Sequence, residues 1–462
     1  MKISMKSVKY IIFGIISLLL VSCTSDMQDA NKVVARAGNR KFREAEIAFA
    51  YELAPRQLTK LGKEKALTIL VEKMINRKLL ADEAKRKGLN DDSLVQRWIE
   101  YYENAEICRQ LFLKHIRDSV LISEEELKIA YQKDKQGLLV KHYVTDNFKR
   151  AKELYRQNNL PEHIPLLNGT RIKKTDPYGM VDSIEWNILD KRIENILYNL
   201  PLARTSRPIQ LDAQYHLFKV MDKDVNVFTT NSEYLARRPS LKSVLRKRKE
   251  HAKAFQFVQR IMKPQNLTFK GDILNQLSEY LYSHYQNSDK PNIKIKNSEI
   301  NLNELQASGL FDSRLADYRS GSFKVSDFFF YNRVNPQSLN IKSQAYIRHD
   351  LADIIATYVR DRVFSEMGKR EGLHKLPEVE LERKKWEEKI LANHLKRKLY
   401  NDSQEKWDDP QRTPGYYRTR LEKMLKDLRS DTRISINKKR LYRIKTSDEG
   451  LPRKIDFFAK NL

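Results

Sequence analysis

A repeat inside the chain restricts its fold more than any other feature of the sequence. Residues 80–89 (LADEAKRKGL) align without a gap with residues 364–373 (FSEMGKREGL), and both segments end in Lys-Arg-x-Gly-Leu. Two further pairs of segments occur in the same order, and they are 34–47 with 315–328 and 257–277 with 424–444. Self-similarity of this kind indicates a duplicated structural unit. We therefore expect two related helical units within one chain.

Each copy begins with the pattern of a β-hairpin and continues as helices. In the first copy, residues 33–37 predict a strand that is followed by a turn at Gly38. Apolar residues then recur at helical spacing over 63–87, and Gly88 suits the left-handed conformation found at many helix C-termini. The pattern changes between residues 138 and 225, where two alternating segments predict strands. The predicted units are therefore about 33–137 with 225–280, interrupted by an insert, and about 311–462.

The N-terminus carries an export pattern. Lys2, Lys6 and Lys9 precede the apolar residues 10–21, a stretch that is too short to span a bilayer. Leu20, Val21, Ser22 and Cys23 then resemble a bacterial lipobox, in which the cysteine is acylated and becomes the first residue of the mature protein. A buried N-terminal helix with a packing cysteine is the alternative. Thr24 follows Cys23, which by resemblance to the enterobacterial sorting pattern implies delivery to the outer membrane. We expect a lipid-anchored protein of the cell envelope that faces the periplasm, and the sequence leaves display on the cell surface as the alternative orientation.

Composition limits the partners and the chemistry. The 462 residues carry a formal net charge of +27, which outside the cytoplasm indicates anionic lipid headgroups, lipopolysaccharide phosphates or acidic unfolded chains rather than nucleic acid. Solvated helix faces are the alternative explanation of this charge. With only two cysteines, of which Cys23 is assigned to lipid, no disulfide framework is expected. No motif of a metalloenzyme, serine hydrolase or nucleotide-binding protein is present, so no metal and no cofactor are expected.

The insert resembles the parvulin-type peptidyl-prolyl isomerases. The resemblance is carried by the segments Val140-Lys141-His142-Tyr143-Val144, Thr205-Ser206-Arg207-Pro208-Ile209 and Gln214-Tyr215-His216-Leu217-Phe218-Lys219-Val220, with Gly179 in a loop between them. The flanking residues 33–115 look like the N-terminal domain of periplasmic chaperones of the SurA and PrsA type. In that family, a helical chaperone body carries a parvulin insert.

This resemblance implies a site and a domain plan. The catalytic histidines of the family correspond to His142 and His216, and its apolar proline pocket corresponds to Val181, Leu189 and Ile193. The family's Cys or Asp has only loose counterparts in Thr175 and Asp176. The expected domains are a lipoprotein signal peptide (1–22), a tether (23–32), a helical chaperone domain (33–137), a parvulin-like domain (138–224), a returning helix with linker (225–310) and a second chaperone-like helical unit (311–462).

The sequence thus predicts an α+β protein with a mostly helical chaperone body. The expected function is that of an envelope lipoprotein that holds unfolded or nascent exported and outer-membrane proteins. Because Leu189 and Ile193 replace the Met and Phe of the family pocket, the sequence leaves isomerase activity open. The aromatic run 328–331 is either a client-binding surface or part of the core. The alternative function is a non-catalytic lipoprotein that binds one dedicated envelope partner, and the sequence leaves the oligomeric state undetermined.

Overall fold

The structure is a computed structural model that separates into two compact units. It describes residues 32–52, 54–161, 164, 182–187, 189, 191–211, 214–225, 230–407 and 413–445. The main unit contains the chain up to Phe112 and again from Val258, and the inserted unit is Leu113–Phe257. Long helices and small antiparallel sheets make up the described residues, which confirms the α+β prediction. No helix among these residues has the length and apolar character that crossing a membrane requires.

The helices and strands follow the predicted patterns closely. The helices are α1 Glu44–Glu52, α2 Arg56–Thr59, α3 Lys63–Arg86, α4 Ser93–His115, α5 Glu124–Asp134, α6 Phe148–Gln157, α7 Lys191–Asn199, α8 Asn231–Met262, α9 Gly271–Tyr285, α10 Leu302–Ala307, α11 Val325–Val334, α12 Gln344–Arg370, α13 Pro377–Trp407, α14 Thr413–Ser430 and α15 Lys438–Arg443. The strands are β1 Val33–Ala37, β2 Arg40–Arg43, β3 Gln136–Thr145, β4 Asp182–Ile184, β5 Ile209–Leu211, β6 Gln214–Val225, β7 Thr268–Phe269, β8 Asn292–Lys294, β9 Arg314–Tyr318, β10 Gly321–Lys324, β11 Ser338–Asn340 and β12 Ile434–Ile436. Helix α3 ends as expected, since Gly88 adopts the left-handed conformation with φ of 70°.

The first hairpin of the main unit is completed by a strand from the far end of the chain. β1 pairs with β2 on one side and with β12 on the other, with Ala35 opposite Ile436. The buried face of this sheet joins a core of α3 and α15 that includes Val34, Phe42 and Leu441. The hairpin of β1 and β2 therefore depends on α15 and β12 for part of its hydrophobic core.

The second hairpin is completed in the same way by a strand from the first copy. β9 pairs with β10 and with β7, and Ala316 lies opposite Phe269. The repeat alignment equates Ala35 with Ala316 and Ile436 with Phe269, so both sheets have the same register. The two copies thus exchange their third strands. This arrangement differs from the predicted grouping of 225–280 with the first hairpin, because β7 pairs with the second hairpin, which is also the nearer of the two in sequence.

The remainder of the main unit is helical and tightly packed. α13 packs along α3. Apolar side chains of α3, α4 and α13 form one core, which includes Leu80, Ile99 and Leu391. The aromatic run 328–331 belongs to α11, where Phe328 and Phe329 are fully buried. These phenylalanines are therefore core residues, which decides between the two alternatives that the sequence offered. Periodicity could not decide this, because α11 buries neighbouring positions on several faces.

The inserted unit is built on a four-stranded antiparallel sheet in the order β4-β3-β6-β5. One face packs against α5, α7 and α8, with Val140, Phe218 and Leu197 in the core. The other face packs against α6 through Leu217 and Leu154. The sheet therefore has a core on each face. The segment 138–224 with its flanking helices lies within the inserted unit.

A buried ionic cluster in the main unit gives a prediction about pH. Arg40 bonds Glu46 and Glu388, and all three side chains are mostly buried. Burial raises the pKa of both carboxyl groups above the usual value of a glutamate side chain, although the Arg40 charge opposes this. The folded chain therefore holds these protons more tightly than the unfolded chain. Their contribution to stability is fully present below about pH 4.5 and is lost as the pH rises through the raised pKa.

Replacing Glu388 by glutamine should remove that dependence on pH at this position. The stability of Glu388→Gln relative to the wild type is expected to increase between pH 4.5 and pH 7, because only the wild type loses the proton. Urea unfolding of both proteins at the two pH values measures the difference. A relative stability that falls over this range would show that the Arg40 charge outweighs burial.

Candidate functional site

Two histidines lie next to each other on the face of the inserted sheet that packs against α7. His142 lies on β3, and His216 lies on the neighbouring strand β6. The strand register places His142 opposite Phe218, and His216 opposite Val144. The two histidines are therefore diagonal neighbours on one face. Nε2 of His142 lies 3.0 Å from Nδ1 of His216, and the rings are nearly parallel.

A backbone carbonyl fixes how protons are arranged on this pair. Nδ1 of His142 lies 3.0 Å from the carbonyl oxygen of Ile164, which can only accept a hydrogen bond. Nδ1 of a neutral His142 therefore carries the proton, and its Nε2 accepts from Nδ1–H of His216. In the neutral pair, Nε2 of His216 is then the unprotonated nitrogen. The carbonyl thus sets the tautomer of both rings.

Neighbouring groups hold the pair in place. The Phe218 ring stacks on His142 with centroids 4.7 Å apart and an angle of 10° between the planes. Ser206 fixes the backbone of Phe218 through two hydrogen bonds. Oγ of Ser206 accepts from the N–H of Phe218 at 3.0 Å, and the backbone N–H of Ser206 donates to the carbonyl oxygen of Phe218. The side chain of Asn158 bonds the Thr205 N–H at 2.7 Å and so anchors the same segment. The histidines therefore sit in a preorganised array.

The predicted pocket residues are only partly placed. Ile193 on α7 is 8% exposed and belongs to the core on the histidine face of the sheet, and half-buried Leu189 packs against the same core. Val181 and Cys23 lie outside the described residues, as do the loose candidates Thr175 and Asp176. The structure thus puts Leu189 and Ile193 on the same side of the sheet as His142 and His216. Within the described part of the chain, no group of acidic, Cys and His side chains could hold a metal ion.

The sequence analysis missed the supporting groups of the pair. Phe218, Ser206 and the carbonyl of Ile164 were not predicted as site residues. Phe218 could have been found, because it follows His216 by two positions on a strand and so shares its face. The carbonyl could not, because any residue supplies one. The array presents hydrogen-bonding groups beside apolar side chains.

The histidine pair is expected to stabilise the inserted unit whether or not it has catalytic activity. His142→Ala leaves the Ile164 carbonyl and Nδ1 of His216 without their partner, so we expect a loss of about 1–3 kcal/mol in unfolding free energy. His216→Ala should cost less, because His216 is more exposed and the bond to Ile164 survives. Urea unfolding of the two variants measures this. Equal stability of His142→Ala and the wild type would contradict a structural role.

Comparisons with known proteins place the chain near one group of solved structures, at low similarity. No protein-family model and no curated protein sequence matches it. A structure of a SurA-like chaperone from Campylobacter jejuni is 16% identical, covers 52% of this chain and 100% of its own, and has a TM-score of 0.24. The foldase PrsA of Streptococcus pneumoniae is 13% identical over 46% of this chain and 85% of its own, with a TM-score of 0.22. The peptidylprolyl isomerase PrsA of Bacillus cereus is 16% identical over 61% of this chain and 99% of its own, with a TM-score of 0.20.

Proposed function

We propose that this protein is an envelope lipoprotein that acts as a periplasmic chaperone or foldase for unfolded exported and outer-membrane proteins. One observation carries the proposal: the two histidines that the parvulin resemblance selects form a hydrogen-bonded pair at 3.0 Å on adjacent strands of the inserted sheet. Its domain plan is the predicted one, with a signal peptide, a tether, two chaperone-like helical parts and a parvulin-like insert. Cys23 is its lipid attachment site.

The catalytic role in this proposal belongs to His142 and His216, with Leu189, Ile193 and Val181 forming the proline pocket. Aliphatic side chains provide the dry surface that a proline ring needs. Nε2 of His216, which is unprotonated in the neutral pair, would accept a hydrogen bond from a backbone N–H of the bound peptide as the prolyl amide leaves its plane. The holding function belongs to the main unit, where Phe49 and Leu61 are large apolar side chains that are more than 40% exposed.

Proline-limited refolding of a model protein tests the foldase part. Residues 24–462 are compared with the His216→Ala variant, in which His142 keeps its bond to Ile164. Acceleration by the wild type that is lost in the variant is the expected result of catalysis. A well-folded wild type without acceleration would assign the histidines to structure alone and leave the holding function to the main unit.

Suppression of aggregation tests the holding part and separates the alternative function. A chaperone should delay the aggregation of several unrelated unfolded proteins at equimolar amounts. A lipoprotein with one dedicated partner should delay none of them and should copurify with a single folded protein at fixed stoichiometry. Breadth of clients therefore decides between the two functions.

A further inference from the structure

The two copies of the repeat differ sharply in charge at their three-stranded sheets. Residues 32–43 and 432–445, which form β1, β2, β12 and α15, contain eleven Lys or Arg residues and no Asp or Glu. We call this set the basic sheet. The equivalent residues of the other copy, 313–324 and 265–278, contain four Lys or Arg residues and two Asp. We call this set the balanced sheet.

The difference arises at equivalent positions of one shared framework. Arg36 of the basic sheet corresponds to Asp317, and Lys439 corresponds to Asp272. In the balanced sheet, Asp317 pairs with Lys270 at 2.8 Å. The same sheet geometry therefore carries charges of both signs in one copy and positive charges only in the other. Folding does not require the uniform charge, because the balanced sheet forms the same register without it.

The positive side chains of the basic sheet lie at the surface. Arg36, Lys41, Arg433, Lys438, Lys439 and Arg443 are all exposed. Arg40 differs from them, because it turns inward to Glu46 and Glu388. The apolar side of α15 faces the core through Leu441, which holds its basic residues outside. Like charges at this density repel one another. Binding of an external anion therefore lowers the electrostatic free energy of this surface.

We propose that the basic sheet docks on the phosphate groups of an anionic lipid bilayer. This inference rests in part on the proposed lipid anchor: nine residues, 24–32, separate Cys23 from β1, and they can span at most about 30 Å. An anchored chain would keep this sheet close to the headgroups, and the balanced sheet has no comparable link in sequence. Each Lys or Arg that lies within a Debye length of an anionic bilayer is attracted to the lipid headgroups.

Binding of the unlipidated chain to vesicles tests the docking surface apart from the anchor. Residues 24–462 are sedimented with vesicles of phosphatidylcholine alone, or of phosphatidylcholine and phosphatidylglycerol in equal parts. The basic-sheet variant carries Lys41→Gln, Lys438→Gln, Lys439→Gln and Arg443→Gln. The matched control carries Lys270→Gln, Arg314→Gln, Arg319→Gln and Lys324→Gln in the balanced sheet. Both variants remove four positive charges from equivalent sheets.

The expected result is binding to the anionic vesicles only, which weakens with salt. The partition coefficient should fall about a hundredfold or more in the basic-sheet variant, and severalfold at most in the control. Equal losses in the two variants would overturn the proposal, because net charge alone would then explain binding. No binding by the wild type would also overturn it, as would tighter, sheet-dependent binding to polyglutamate, which would identify an acidic polypeptide as the partner.

The docking surface and the chaperone function can be refuted separately. The aggregation assay is carried out in solution without lipid, so both quadruple variants should still suppress aggregation. A chain that suppresses aggregation but ignores vesicles refutes only the docking surface. A chain that binds vesicles but suppresses no aggregation refutes only the chaperone function.

Discussion

Replacing Arg248 by alanine is expected to destabilise the inserted unit by about 3–5 kcal/mol, because it leaves a buried carboxylate without its counter-charge. Arg248 on α8 holds Glu194 on α7 through two bonds of 2.7 and 2.6 Å. The Glu194 side chain is only 2% exposed. The backbone N–H of Asn187 also donates to it, but this bond cannot balance a full charge. Urea unfolding measures the loss, and hydrogen exchange over 182–199 locates it.

A matched control lies on the same helix. Arg237 makes an equally well-formed pair with Asp134, but its own side chain is 54% exposed. Because solvent screens that pair, Arg237→Ala should cost less than about 1 kcal/mol. Adding Glu194→Gln to Arg248→Ala should restore part of the loss, since the uncompensated charge is removed. Equal effects of Arg237→Ala and Arg248→Ala would show that burial of Glu194 does not determine the cost.

Replacing Leu441 by alanine is expected to cost about 2–5 kcal/mol and to loosen a hairpin some 400 residues away in sequence. Leu441 is 1% exposed and packs in one core with Val34 and Phe42 of the first hairpin. Deleting its side chain opens a cavity beneath β1 and β2. The backbone amides of residues 33–43 should therefore lose protection against hydrogen exchange.

The equivalent substitution in the other copy provides the control for strand exchange. Leu274 on α9 corresponds to Leu441 in the repeat, and α9 packs against β9 of the second hairpin. Leu274→Ala should therefore loosen 314–324 and leave 33–43 protected. If each substitution instead loosened the hairpin of its own copy, the strands would pair within copies and the exchange would not exist in solution.

Local signals were sufficient to predict several of the elements, whereas the pairing of the two histidines followed from the parvulin resemblance. The alternation along 138–145 and 215–221 placed His142 and His216 on strands, and the structure brings their rings into contact. Gly88 ended α3, and Ser123 with Glu126 forms a capping box at the start of α5. Each of these signals depends on residues a few positions apart, so the sequence carries it directly.

Partner choice could not be predicted from the same signals. Ile434 and Ile436 are compatible with either hairpin, since the two sheets share one register. Burial of Phe328 depends on elements packed around α11 from elsewhere in the chain. The tautomer of His142 depends on a carbonyl at Ile164 that lies 22 positions away. These features follow from tertiary packing, which propensity and periodicity do not report.

The exchange of third strands also sets the order in which the protein can mature. The hairpin of β1 and β2 is made first, yet β12 joins its exposed edge only after almost the entire chain has been synthesised. Contacts so distant in sequence form slowly, and until they form the unpaired edge can accept a strand from another molecule. A chain shortened before residue 434 would keep that edge open permanently. Closure of the sheet around β1 therefore requires a chain that extends at least as far as β12.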